Sequence, residues 1–202
     1  MSHAVARLRA ARIARSAKPF LARGSRSVRC DECRLVMTHC LCAWRPRIAA
    51  TSAVCLLMHD VEALKPSNTG WLIADVLADT SAFGWSRVEV DAELPALLND
   101  PQWQPYLVFP AEAVAGGRPV TGELPAGAAD GKRPLFVLLD GTWSEARKMF
   151  RKSPYLDPFP VLGLHPETAS RYRLRRSAQD HHFCTAEVAA LCLALAGESH
   201  AA

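Results

Sequence analysis

Four cysteines, Cys30, Cys33, Cys40 and Cys42, follow one another as C-x2-C-x6-C-x-C. Sulfurs at such spacing can close around one tetrahedral ion, each about 2.3 Å from a zinc. Crowded free thiols on a short polar loop would oxidise readily. The pattern therefore predicts a metal knuckle, with structural Zn²⁺ favoured over a [4Fe–4S] cluster or no metal, and His39 able to replace one sulfur. Other chemistry is spread along the chain. In "LFVLLDGTW" (135–143) an apolar run ends in Asp140, breaks at Gly141 and continues through Thr142 and Trp143. Ligands of open α/β sheets bind beyond the carboxyl ends of strands, where Asp140 would stand. Gly141 permits a sharp turn, and Thr142 can cap the helix that follows. Alone, Asp140 serves equally as a helix cap and Trp143 as core. "HDVEALKPSNTG" (59–70) gathers His59, Glu62, Lys65, Ser67, Asn68 and Thr69 after a second apolar run. Such polar density suits a loop facing water or a ligand. "HFCTAEVAAL" (182–191) sets Thr185 before a helix and Glu187 in its first turn, which alone is a capping arrangement.

These residues need strands and helices to hold them. "AVCLLMH" (53–59), "PYLVFP" (105–110), "LFVLLD" (135–140) and "FPVLGL" (159–164) are apolar runs of the kind buried in a parallel sheet. "SRVEV" (86–90) alternates like an edge strand. Helices are expected over "WLIADVLAD" (71–79), with Trp71, Leu72, Val76 and Leu77 inward, from near Thr142, and over "CTAEVAALCLALAG" (184–197). The Gly- and Pro-rich stretch 115–134 is expected to be a loop. Strands alternating with helices give an α/β domain with a mostly parallel sheet. The chain is expected to divide into a basic, flexible arm (1–28), the knuckle (29–46) and an α/β domain (47–202) that would hold any catalytic site.

Eight of the 24 Lys and Arg residues fall in the first 29 positions, which hold no acid, so the remainder carries 16 against 20 acidic residues. A basic arm on an acidic body suits RNA contact through counterion release, an organellar presequence, or a solubilising tail. Seven cysteines without a secretory signal point to a reducing compartment, cytoplasmic unless the arm directs organellar import. Cys55, Cys184 and Cys192 lie in or beside apolar segments and are expected to pack. No apolar run reaches the length of a membrane span. The absence of a Walker A motif and of H-E-x-x-H disfavours nucleotide hydrolysis and zinc proteolysis.

Taken in order, the knuckle, "KPSNTG", "LLDGTW", "ARKMFRKSPYL", "SRYRLRR" and "CTAEVAALCLAL" resemble the DTW-domain family, the tRNA-uridine aminocarboxypropyltransferases, over nearly the whole chain after the arm. Two positions depart. His59-Asp60-Val61-Glu62 stands where His-Pro-x-Glu is expected, and Cys184 where a Ser is expected. The resemblance implies a SPOUT-like domain with a C-terminal knot and transfer of the 3-amino-3-carboxypropyl group of S-adenosylmethionine to N3 of a tRNA uridine, releasing methylthioadenosine. It places His59, Glu62, Asn68, Thr69, Asp140, Gly141, Thr142, Trp143, Thr185 and Glu187 at the co-substrate, with Asp140 as base or as partner of the ammonium group. Lys65, Arg147, Lys148, Arg151, Lys152, Arg171, Arg173, Arg175 and Arg176 fall to the tRNA. Three other classes compete: the same transfer to rRNA, a SPOUT-like methyltransferase, and a non-catalytic zinc-bearing RNA-binding module.

Overall fold

The computed structural model describes residues 2–202 apart from 22–25, 115–116, 126–130, 166–169 and 173–182. Its strands are β1 (Ala53–His59), β2 (Thr80–Trp85), β3 (Trp103–Val108), β4 (Val120–Thr121), β5 (Arg133–Asp140) and β6 (Val161–Leu162). They form one sheet in the order β2-β1-β5-β3-β6-β4. Every pairing is parallel, so the fold is mixed α/β with an all-parallel sheet. The helices are α1 (Ala4–Ala14), α2 (Gly70–Val76), α3 (Glu93–Leu98), α4 (Trp143–Arg151) and α5 (Thr185–Leu195).

Successive side chains of a strand leave on opposite faces, and both faces of this sheet are covered. Val54, Leu56 and Met58 of β1 join Phe136 and Leu138 of β5 in a core with Trp71 of α2 and Ala189 and Cys192 of α5. Cys55 and Leu57 join Leu135 and Val137 on the other face, against Leu94 and Leu98 of α3 and Met149 of α4. This double burial is why β1 and β5 are continuous apolar runs. It also sets β5 between β1 and β3, with Met58 opposite Asp140, at the middle of the sheet's carboxyl edge.

Several elements differ from expectation. The strand beside β1 is Thr80–Trp85; residues 86–90 lie beyond it, with Val88 and Val90 exposed. Phe83 and Trp85 supply the buried apolar surface that the charged alternation of "SRVEV" lacks. Helix α2 stops at Val76, and its inward stripe is Trp71, Ile73 and Ala74, continued by Leu77. Leu72 faces outward, 48 % exposed. "FPVLGL" contributes only two residues to the ladder, and the 115–134 stretch includes the short β4.

Residues 4–14 depart from the flexible arm expected of 1–28. They form α1, capped by His3, whose Nδ1 accepts the Ala6 N–H at 3.2 Å. Val5 is fully buried with Trp71 and Ala74, and Arg12 reaches Asp60 at 2.7 Å. Composition concealed the helix because only Ala4 and Val5 are buried, while three arginines, of which Arg7 alone is exposed, dominate the count. The C-terminal knot would be threaded by chain between β6 and α5, where residues 166–169 and 173–182 lie outside the described set. Among the described residues no helix is long and apolar enough to cross a membrane.

Candidate active site

Asp140 ends β5 and is 1 % exposed. Its Oδ1 accepts the Thr185 hydroxyl at 2.6 Å and its Oδ2 the Asn68 side-chain amide at 2.7 Å. The same amide lies 3.3 Å from Glu62 Oε1, while Asn68 Oδ1 accepts the Trp71 N–H at 3.0 Å. Glu62 is fully buried and holds Lys65 Nζ at 2.5 Å. Gly70 lets α2 begin against this cluster, for a Cβ there would stand 2.7 Å from Asp140 Oδ2. Three segments remote in sequence, the Asn68 loop, the end of β5 and the start of α5, thus meet at Asp140. Lys65, expected at RNA, is engaged by a buried carboxylate.

Thr142 caps α4 as its residue type suggests. Its N–H donates to Glu145 Oε2 at 2.7 Å, and its Oγ1 accepts the Glu145 N–H at 3.4 Å. Burial disfavours the charged form of Glu145. The Thr142 N–H and hydroxyl, with Lys65 and His59 nearby, outweigh burial and hold its carboxyl below the ordinary value. His59 Nδ1 lies 3.2 Å from Glu145 Oε1, and its ring stacks on Trp85. Glu187 is an anchor. It accepts the Cys184 N–H at 2.9 Å, closing the cap of α5, and also the Ser170 hydroxyl and Arg171 N–H, each at 2.7 Å. Burial again opposes ionisation, and these donors overcome it, lowering its pKa. Tyr172, in the same segment, donates its hydroxyl to the Ser67 carbonyl at 2.7 Å. Thr69 Oγ1 accepts the Ala186 N–H at 3.3 Å.

A cavity of about 850 Å³ opens beside this network, at the carboxyl ends of β3 and β5 and between α4 and α5. Gly141, Trp143 and Thr185 line it. His59, Glu62, Asn68, Thr69, Asp140, Thr142 and Glu187 are not among its lining residues; they build and brace its wall. Sequence reasoning missed Phe109, Glu112, Phe150, Leu164 and Phe183, which also line it. The rule that singled out Asp140 applies equally to the end of "PYLVFP", so Phe109 and the residues after it were within reach. Phe109 stacks on Phe150, centroids 4.3 Å apart, and Arg118 lies over Phe150. The cationic helix divides by face. Arg147 and Arg151, four residues apart, border the cavity, whereas Lys148 lies over the Trp85 ring at 5.7 Å. Lys152 and Arg171 are exposed, and Arg173, Arg175 and Arg176 lie outside the described residues.

The four cysteine sulfurs of the knuckle all lie within 4.8 Å of one another. Cys30 and Cys42 approach to 3.5 Å, and Cys33 and Cys40 to 3.8 Å. Tetrahedral sulfurs at zinc bond length stand about 3.8 Å apart, so the set fits one ion and fills its coordination. The N–H groups of Cys33 and Glu32, then the Cys42 thiol, lower the Cys30 pKa to about 7. The same bond to Cys30, with burial, pushes the Cys42 thiol up to about 12, so without a metal one thiolate is shared within the pair. His39 stands outside the set, 3.0 Å from the Thr38 hydroxyl. The knuckle is fixed to α2, with Trp71 Nε1 donating to the Glu32 carbonyl at 3.0 Å and Arg45 pairing with Asp75 at 2.5 Å.

A Drosophila melanogaster protein named tRNA-uridine aminocarboxypropyltransferase 2 is 24% identical to this chain over 180 residues, 85% of this chain and 67% of the relative. No solved structure matches the chain. The sequence profile of the DTW domain matches residues 27–202, taking in the knuckle, the Asn68 loop, the Asp140 turn and α5 together. The chain belongs to the DTW domain family.

Proposed function

We propose that the protein transfers the 3-amino-3-carboxypropyl group of S-adenosylmethionine to N3 of a uridine in tRNA, releasing methylthioadenosine. The observation that carries this reading is the cavity at the sheet's carboxyl edge, walled by Gly141, Trp143 and Thr185 and bordered by Arg147 and Arg151. About 850 Å³ is in the range of small-molecule sites. Family membership and the activity in the Drosophila relative's name support the choice of reaction.

The co-substrate supplies an activated carbon next to a sulfonium. N3 bonds to that carbon, the carbon–sulfur bond breaks, and sulfur leaves with the electron pair. The N3 proton must go to a base, and the group transferred carries an ammonium and a carboxylate that must be held for the correct carbon to face N3. Asp140 has both oxygens engaged behind the wall, so in this reading it is a positioning residue that fixes Thr185 at the cavity. Glu112 is the carboxylate of the lining, placed to receive the proton or to hold the ammonium. An unpaired uridine stacks on Trp143, and Arg147 and Arg151 meet its flanking phosphates. Zinc, with four sulfurs and no open position, is structural.

The test is mass analysis of tRNA nucleosides after incubation with protein and S-adenosylmethionine. The expected products are aminocarboxypropyl-uridine and an equivalent of methylthioadenosine. Methylated nucleoside with S-adenosylhomocysteine would instead establish a methyltransferase. RNA binding with neither product would leave a non-catalytic module.

A further inference from the structure

The cavity does not account for the most exposed aromatic ring of the described residues. Trp44, in the short helical turn Cys42–Trp44 just after the fourth cysteine, is 82 % exposed. Single exposed apolar side chains are ordinary, but this one is not isolated. Val28, Met37 and Leu41 are also exposed and lie on the same knuckle. The Met37 N–H donates to the Val28 carbonyl at 3.1 Å, and the Trp44 N–H to the Leu41 carbonyl at 2.9 Å. The knuckle that carries these residues is anchored, because its four sulfurs lie within 4.8 Å of one another and Trp71 Nε1 donates to the Glu32 carbonyl from the first turn of α2. That turn begins beside Asp140, which puts the knuckle toward the end of the sheet that carries the cavity.

The charge around the ring selects its partner. Residues 26–47 contain five arginines against only Asp31 and Glu32. Arg45 is held by Asp75 and Arg34 lies over the Trp71 ring, which leaves exposed Arg26 and Arg47 and half-buried Arg29 to face a partner. Helix α1, acid-free, packs on α2 through His3, edge-on to Trp71 at 4.5 Å, the same ring whose Nε1 holds the knuckle's Glu32 carbonyl, and it carries exposed Arg7. An apolar protein partner would have to desolvate these cations, whereas a polyanion with flat unpaired bases satisfies cation and ring together. We propose that the knuckle is a second tRNA contact, in which Trp44 stacks on an unpaired base while neighbouring arginines meet the backbone. The inference rests on the tRNA reading above and extends it to a surface outside the reaction cavity.

Stacking on one base is worth a roughly 5- to 150-fold change in affinity on alanine substitution. Trp44→Ala in the full chain should therefore weaken binding of unmodified tRNA, and raise its KM, by a factor in that range. Zinc content, thermal midpoint and S-adenosylmethionine affinity should stay at wild-type values, since an exposed side chain packs little. Loss of a stacking contact lowers affinity equally at every salt concentration, so the salt slope should be unchanged, and Trp44→Phe should recover most of the binding. If wild-type protein neither binds nor modifies tRNA, the reading of the cavity fails and this inference with it. If wild type modifies tRNA and Trp44→Ala does so with unchanged affinity and KM, only this inference is overturned. A changed sedimentation state in Trp44→Ala at unchanged tRNA affinity would likewise overturn it and assign the patch to contacts between copies of the chain.

Discussion

Replacing Asp140 separates the positioning role assigned to it from that of a base. Asp140→Ala deletes two hydrogen bonds to a buried charged group, at 2.6 and 2.7 Å. Such bonds are worth about 1.5–3 kcal/mol each. Part of the loss is recovered, because Asn68 still reaches Glu62 at 3.3 Å and the Thr185 hydroxyl borders a cavity that admits water. The expected destabilisation is about 2–4 kcal/mol, read from urea unfolding. Asp140→Asn keeps the shape but brings a donor. Its carbonyl can face the Asn68 amide while its own amide donates to Thr185, so one bond reverses direction and the cost is about 1–2 kcal/mol. Turnover should fall in both variants. A lost general base typically costs about 10²–10⁴-fold and is partly rescued by alkali, which ionises N3 unaided. A lost positioning contact lowers the rate by the same factor at every pH. The expected pH–rate profile of Asp140→Asn is thus parallel to that of wild type. Rescue at high pH would refute the positioning role and make Asp140 the base. An alanine variant within about 0.5 kcal/mol of wild type would show that the Asn68–Asp140–Thr185 bonds do not hold the site together.

Three further outcomes are expected. Elemental analysis should find one zinc per chain, and Cys33→Ala should abolish it, with tRNA affinity falling more than S-adenosylmethionine affinity because the metal's binding energy folds the knuckle alone; metal-free wild-type protein of full tRNA affinity would contradict this. Replacing Arg147 and Arg151 together by Ala should flatten the salt dependence of tRNA binding by about one unit of slope per lost phosphate contact, whereas Lys148→Ala, whose ammonium lies over Trp85, should change it less. Burial first, then Arg45, lowers the His3 pKa from 6.5 to about 4; Asp75 is only 3.4 Å from Nε2, but Arg45 already holds that carboxylate. The unfolded chain therefore binds more protons between those values, and this contribution to stability is lost as pH falls from about 6.5 towards 4. His3→Gln should lose less stability than wild type over that range, and equal losses would place His3 in water.

What the sequence disclosed followed from burial on two faces. A parallel strand covered by helices on both sides must be apolar at every position, so β1 and β5 were legible as runs, and the polar residues after them stood out as an edge. The cysteines were legible for a similar reason: ligand chemistry fixes spacing locally, so four residues within thirteen positions define the site without help from the fold. The hidden features depend on residues far apart in sequence. Nothing near Asn68 shows that one amide would bridge two carboxylates, one of them 72 residues away. Nor does the start of α5 show that Glu187, while closing its own helix cap, would hold residues 170–172 as well. Glycine 70 was invisible as a constraint because the atom it makes room for is Asp140 Oδ2, supplied by another strand. The same logic explains the division among the expected site residues. Sequence position could place them at one edge of one sheet. Whether a given side chain faced the ligand or braced the one that does was decided only when β5, the Asn68 loop and α5 closed on each other, and for Asp140 it left Thr185 as the group presented to the cavity.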